Sequence, residues 1–222
     1  MIVMSTELYQ EEVRIPEGKI FLDGDLIIPA SATAIIIFSH GSGSSRFSKR
    51  NRAVAVKLNE KKFGTLLFDL LTEEEDADYY NRFNIDLLSK RLIHVTQWLE
   101  QQPVASHCRF GYFGASTGAA SALQAAAHLS NILAVVSRGG RPDLAMYHLP
   151  QVNAPTLLIV GSLDKEVIEL NKKALEKLTC PKELSIVEGA SHLFEEPGKM
   201  DKVSALAISW FEKYLQPTVI IN

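Results

Sequence analysis

Cysteine is scarce in this 222-residue chain. Cys108 and Cys180 are the two it has, and they form no CxxC pair. A disulfide framework and a thioredoxin-type dithiol are therefore not expected; two reduced, mostly buried thiols are. A basic surplus is missing too. Lys and Arg number 23 against 26 Asp and Glu, a net charge of −3, and phosphate binding wants a basic face. Nucleic acid is not an expected partner. No apolar stretch reaches the length of a membrane span. Residues 1–12 lack the basic patch and apolar run of a secretory signal. No membrane partner is expected, and the expected location is cytoplasmic. HExxH, Cys/His clusters, GxGxxG and the lysine of a P-loop are also absent, so neither metal nor cofactor is expected. With no repeat and no low-complexity linker, residues 1–222 read as one domain.

What the chain does have is apolar runs alternating with helical patterns. Residues 13–16 and Ile20–Ile28 read as two opening strands around a Pro16-Glu17-Gly18 turn. Short continuous apolar runs follow at residues 33–38, 65–68, 109–113, 132–136 and 156–160, with a weaker one at 184–187. Such runs suit strands buried on both faces. Between them, Ile85, Leu88, Leu92, Val95 and Leu99 share one helix face. Ala53, Val56, Leu58 and Phe63 suggest an earlier helix. Residues 116–128, 167–178 and 203–215 suggest three more. Strand alternating with helix predicts a mostly parallel sheet of about eight strands, helices on both faces and an antiparallel N-terminal edge.

Ligands of such sheets bind beyond the carboxyl ends of the strands. The residues found there are His40-Gly41-Ser42-Gly43, Asp69, Ser116, Arg138, Asp164 and Ser191-His192. Gly114-Ala115-Ser116-Thr117-Gly118 is a G-x-S-x-G pattern between a strand and an Ala-rich helix. Small neighbours let strand and helix approach, and the turn lifts the hydroxyl to a helix N-terminus that favours negative charge. A tight turn with a capping serine is the plainer reading of the five residues alone.

A serine hydroxyl needs an adjacent base. His192 follows the last apolar run, and Asp164 follows the one before it. Asp164 would hold one ring nitrogen of His192 and stabilise the imidazolium formed when Ser116 attacks. Asp143 and Glu166 are rival acids; Asp143 reads more easily as a helix cap and Glu166 as a helix start. The backbone N–H groups of Thr117 and Ser42 are the expected oxyanion donors. Arg46 and Arg138 are candidates for gripping a substrate carboxylate, against a purely structural pairing with Asp69, Asp143 or the acidic run at residues 73–76. That run reads as a solvated loop.

Four segments carry a resemblance over nearly the whole chain: SHGSGSSR (residues 39–46), GASTGA (114–119), LLIVGSLD (157–164) and GASHLFEEP (189–197). On them the sequence resembles the α/β-hydrolase superfamily, whose triads run Ser, Asp, His in chain order, and within it the dienelactone hydrolase-like group. True dienelactone hydrolases use a cysteine nucleophile, and Ser116 stands in that place here. The resemblance implies a cofactor-free hydrolase of a small carboxylic ester, lactone or thioester. Many relatives carry a helical lid after the sixth strand. Only residues 137–154 fill that interval here, which predicts an open, shallow site. A peptidase or acyltransferase on the same triad, or a non-catalytic binding module of this fold, are the alternatives.

Overall fold

Strands form where apolar runs are continuous. The structure, a computed structural model, describes residues 7–216. Ala34–Ser39 (β3), Gly64–Phe68 (β4) and Thr156–Gly161 (β7) are buried at every position, as strands covered on both faces must be. Tyr9–Glu17 (β1) and Ile20–Ile28 (β2) carry charges on their open side. Arg109–Ala115 (β5), Ile132–Arg138 (β6) and Lys182–Val187 (β8) complete eight strands in the order β1-β2-β4-β3-β5-β6-β7-β8. β1 and β2 pair antiparallel, and β2 pairs antiparallel with β4. The strands from β4 through β8 run parallel. This is the α/β-hydrolase architecture the sequence predicts, with β1 extending well beyond residues 13–16.

The helices are Lys49–Glu60 (α1), Glu73–Asp76 (α2), Ile85–Glu100 (α3), Thr117–His128 (α4), Lys165–Lys177 (α5) and Lys199–Leu215 (α6). Strand alternation deals the core into two halves. Ile35, Ile37, Tyr112 and Val135 pack with Leu88, Leu92, Val95 and Leu123 of α3 and α4. Ile36, Phe38, Phe113 and Val136 pack with Val54 and Leu58 of α1 and Ala207 and Phe211 of α6. Each fully buried Ile or Phe contributes about 1.5 to 3 kcal/mol of burial free energy. Tyr112 is wholly buried and satisfies its hydroxyl on Thr96 Oγ1 at 2.6 Å.

Two local expectations change. Val56 is 56% exposed; the inward face of α1 is Asn51, Val54, Ala55 and Leu58. The acidic run is no solvated loop. Thr72 and Glu75 form a capping box that starts α2, and Glu75 then pairs with Arg91 at 2.6 Å while Asp76 pairs with Arg82 at 2.9 Å. Between β6 and β7 the chain makes two short 3-10 turns, Pro142–Ala145 and Leu149–Gln151, with no room for a lid. No helix among the described residues is long and apolar enough to cross a membrane.

Candidate active site

Ser116 joins β5 to α4 with φ 51° and ψ −122°. A positive φ at a non-glycine residue costs about 1 to 3 kcal/mol and persists only where neighbours impose it. Here the Ser116 N–H donates to Arg138 O at 3.2 Å, and its carbonyl accepts from Ala119 N and Arg141 N, both at 3.1 Å. The flanking glycines are sterically required. A Cβ on Gly114 would lie 2.5 Å from Ala119 Cα, and one on Gly118 would lie 2.2 Å from Ser39 O. Ser116 occupies the N-cap position of α4, yet its hydroxyl makes no capping bond. The capping-serine reading therefore fails, and the hydroxyl is held clear of the helix it precedes.

Asp164 and His192 meet. His192 Nδ1 lies 2.6 Å from Asp164 Oδ2. Asp164 heads α5 but leaves its carboxylate uncapped, which frees it for the imidazole. The ring lies over Gly139, the residue after the one that holds the Ser116 N–H: a Cβ there would come within 3.6 Å of His192 Cε1. Gly139 has a φ of 53° and leaves this approach open. No hydrogen bond joins Ser116 Oγ to His192; resting sites of this kind commonly close that bond only with substrate. Of the rival acids, Asp143 is engaged by Arg141 through two bonds of 2.9 and 2.8 Å.

The turn that carries His192 is stapled at both ends. Gly189 N–H donates to Ser162 Oγ at 2.8 Å, and Ser191 N–H is shared by both carboxylate oxygens of Glu196 at 3.1 Å. Hydrogen bonding from Ser191 holds the Glu196 carboxyl below the usual range. The sequence reading missed Glu196, although an acid a few residues beyond the base in a short turn is a readable signal.

The oxyanion loop departs from expectation. The Ser42 N–H already donates to the Thr117 hydroxyl at 2.8 Å, so it does not point unpaired at a substrate oxygen. Thr117 is the first residue of α4 and is 3% exposed, and its hydroxyl sits where the loop amide points. Gly41 is the loop residue that abuts the nucleophile, its Cβ position being 3.1 Å from Ser116 Cβ. His40 anchors this loop. Leu70 N–H donates to its Nε2 at 3.1 Å and its Nδ1 lies 3.0 Å from Gly41 O, which requires the neutral Nδ1–H tautomer. Burial accordingly pushes its pKa down.

The two candidate arginines do not form a joint carboxylate grip. Arg46 is held by Asp69 at 2.5 Å, with Asp25 at 3.6 Å and Asp23 at 3.9 Å. Three acids from β2 and the end of β4 leave it no charge to offer. Arg138 is 4% exposed, turned to the α1 side of the sheet and bonded to Asn51 Oδ1 at 3.2 Å. Neither cysteine is a reactive thiol: burial pushes Cys108 up to about 11 and Cys180 upward as well. A hollow of about 480 Å³ lies over the β1–β2–β4 edge between Ile27, Leu67 and Val56, away from Ser116. A smaller cleft of about 210 Å³ flanks the oxyanion loop at His40, Ser44 and Asp69.

Comparison with known proteins bears on this arrangement. The profile of the dienelactone hydrolase family matches residues 22–216. The chain belongs to that family. A dienelactone hydrolase from Anabaena variabilis ATCC 29413, known as a crystal structure, is 51% identical to this family member with a TM-score of 0.91, covering 95% of this chain and 100% of that one. Est1E from Butyrivibrio proteoclasticus shares the fold at 15% identity and a TM-score of 0.78, over 91% of this chain and 98% of its own. Two Mycobacterium tuberculosis proteins, from strains CDC 1551 / Oshkosh and ATCC 25618 / H37Rv, carry a phosphoribosyl transferase name and are 52% identical over 209 residues. That match takes in 94% of this dienelactone hydrolase relative and 47% of each of theirs, so the chain spans about half the length of those proteins.

Proposed function

We propose that this chain is a serine hydrolase that cleaves a small carboxylic ester, lactone or thioester through an acyl-enzyme on Ser116. The observation that carries the reading is the 2.6 Å bond between His192 Nδ1 and Asp164 beside a serine held in a strained, uncapped elbow. Asp164 fixes the tautomer, so His192 Nε2 is the basic atom. It takes the Ser116 proton as Oγ attacks the acyl carbon, then returns it to the leaving alcohol or thiol. Water repeats the sequence and frees the acid. Asp164 stabilises the imidazolium throughout without taking the proton itself.

Negative charge on the acyl oxygen develops at the N-terminus of α4, where the Thr117 N–H supplies one donor. The second donor in this reading is the Thr117 hydroxyl. Its oxygen is taken by the Ser42 N–H, so its own hydrogen is available to the oxyanion. Ser42 then acts through Thr117 rather than directly.

Hydrolysis of p-nitrophenyl acetate and butyrate by the wild type and Ser116→Ala, with intact mass after a fluorophosphonate probe, tests the reading. Turnover and a single adduct, both lost in Ser116→Ala, are expected. A folded wild type with neither would reject it in favour of a binding module. Acyl transfer is the second chemistry this triad allows, but the short β6–β7 connection leaves water at the site and favours hydrolysis.

A further inference from the structure

Arg138 ends β6, and alternation from Val136 sends its side chain to the α1 face of the sheet. Its partner there is the Asn51 amide oxygen. Nε is buried with no hydrogen bond, and among the described residues no carboxylate pairs with the guanidinium. Arg91, also buried, is matched with Glu17 and Glu75, and the part-buried Arg46 with Asp69 and Asp25. A buried cation without a counter-charge is strongly disfavoured. Arg50, a second guanidinium, acts on Arg138 with like charge and makes this worse. Burial and Arg50 together bring Arg138 down to about 10.

Arg50 shares the buried, unpartnered Nε but has a carboxylate partner, as its Nη1 reaches out to Glu195 at 2.7 Å. Both arginines border the first turn of α1, a helix of 12 residues. Ser48 caps the Asn51 N–H, and the Lys49 and Arg50 N–H groups stay unpaired among the described residues. Two guanidiniums and a helix N-terminus thus meet where the one carboxylate supplied is that of the exposed Glu195.

We propose that Arg138, Arg50 and the first turn of α1 form a binding site for an oxyanion, a phosphate or carboxylate group. Planar guanidiniums bind such oxygens in pairs, and unpaired helix N–H groups complete the set. Glu195 is 63% exposed at its side chain and closes the rim. It is the competing carboxylate that an entering anion displaces from Arg50. The site adjoins the nucleophile through the backbone, since Arg138 O receives the Ser116 N–H. The anion is either free in solution or a group carried on the ester.

The test is calorimetric titration of the 222-residue chain with inorganic phosphate and with acetate, against chloride at equal ionic strength. Saturable binding beyond chloride is expected, weakened at least about tenfold in Arg50→Gln and in Arg138→Gln. Because Arg138→Gln risks misfolding, Glu195→Gln provides the second arm: removing the competing carboxylate tightens phosphate several-fold. No saturable heat, or equal affinity in Arg50→Gln and Glu195→Gln, overturns the proposal. Phosphate inhibiting p-nitrophenyl hemisuccinate but not p-nitrophenyl acetate identifies a substrate-borne anion; equal effects on both identify a free one. Binding is read without turnover, so failure of this site and failure of the hydrolase reading remain distinct.

Discussion

Replacing Thr117 by Val tests the oxyanion arrangement where the structure departs most from expectation. Valine matches threonine in shape, so the buried first turn of α4 keeps its packing and only the hydroxyl is lost. The resting chain then loses the 2.8 Å bond from the Ser42 N–H, and under the proposed mechanism the transition state loses its second oxyanion donor. Removing one such donor costs about 2.7 to 4 kcal/mol. The freed Ser42 N–H recovers part of this by turning toward the oxyanion, which leaves a net loss of about 2 to 3 kcal/mol, or about 30- to 150-fold in rate. The loss belongs in kcat with KM little changed, because the interaction strengthens only as charge develops. Thr117→Ser keeps the hydroxyl and restores most of the rate. Steady-state kinetics on p-nitrophenyl butyrate for the three proteins is the assay. A Thr117→Val enzyme as fast as wild type, or faster, would refute the reasoning: the hydroxyl would then be a plug on the Ser42 amide, not a donor.

Two further outcomes follow from the loop and the elbow. His40 is held neutral by burial, below its ordinary 6.5, whereas the unfolded chain takes up that proton near 6.5. Its contribution is therefore complete above about pH 6.5 and is lost as pH falls from there toward the folded value, with a limiting slope of about 1.4 kcal/mol per pH unit. Urea midpoints between pH 7.5 and 5.5, set at about those values to bracket the histidine range, should show this slope in wild type and not in His40→Gln; equal slopes would remove His40 as the cause. Gly118→Ala pushes a methyl to within 2.2 Å of Ser39 O and 2.4 Å of His40 O, both backbone atoms that cannot swing aside. A cost of about 3 kcal/mol, or about 6 to 12 °C in Tm for a chain of this size, is expected with loss of esterase activity; a Tm within about 2 °C of wild type would show that strand and helix are not locked at this glycine.

The parts legible in the sequence are those in which local pattern and tertiary role coincide. β5 and β7 are buried at nearly every position because both faces are covered, so the ends of these runs mark where Ser116 and Asp164 stand. His192 was found the same way from the weaker β8. Long-range geometry was hidden. Nothing local tells that Thr117, 75 positions along the chain, reaches back to the Ser42 amide. Likewise Arg46 looks available in a Gly-Ser loop until folding brings Asp23, Asp25 and Asp69 around it. Arg138 ends β6 and reads from its position as a rim residue; the side of the sheet it faces is set by alternation from Val136. Val56 fell outside the α1 core for a similar reason, since its three-residue step from Ala53 puts both on the outer face.

The β6–β7 connection, with its two short turns, also has a kinetic consequence. An enzyme whose mouth is shut by a flap waits for an oil droplet or micelle to pull the flap open, and its velocity leaps once substrate exceeds its solubility. Among the described residues there is no such hinge between β6 and β7, and His192 is already 36% exposed at its side chain. Velocity should rise hyperbolically with dissolved ester alone, without lag and without a jump at the solubility limit. Added detergent should slow the reaction by sequestering substrate rather than switch it on.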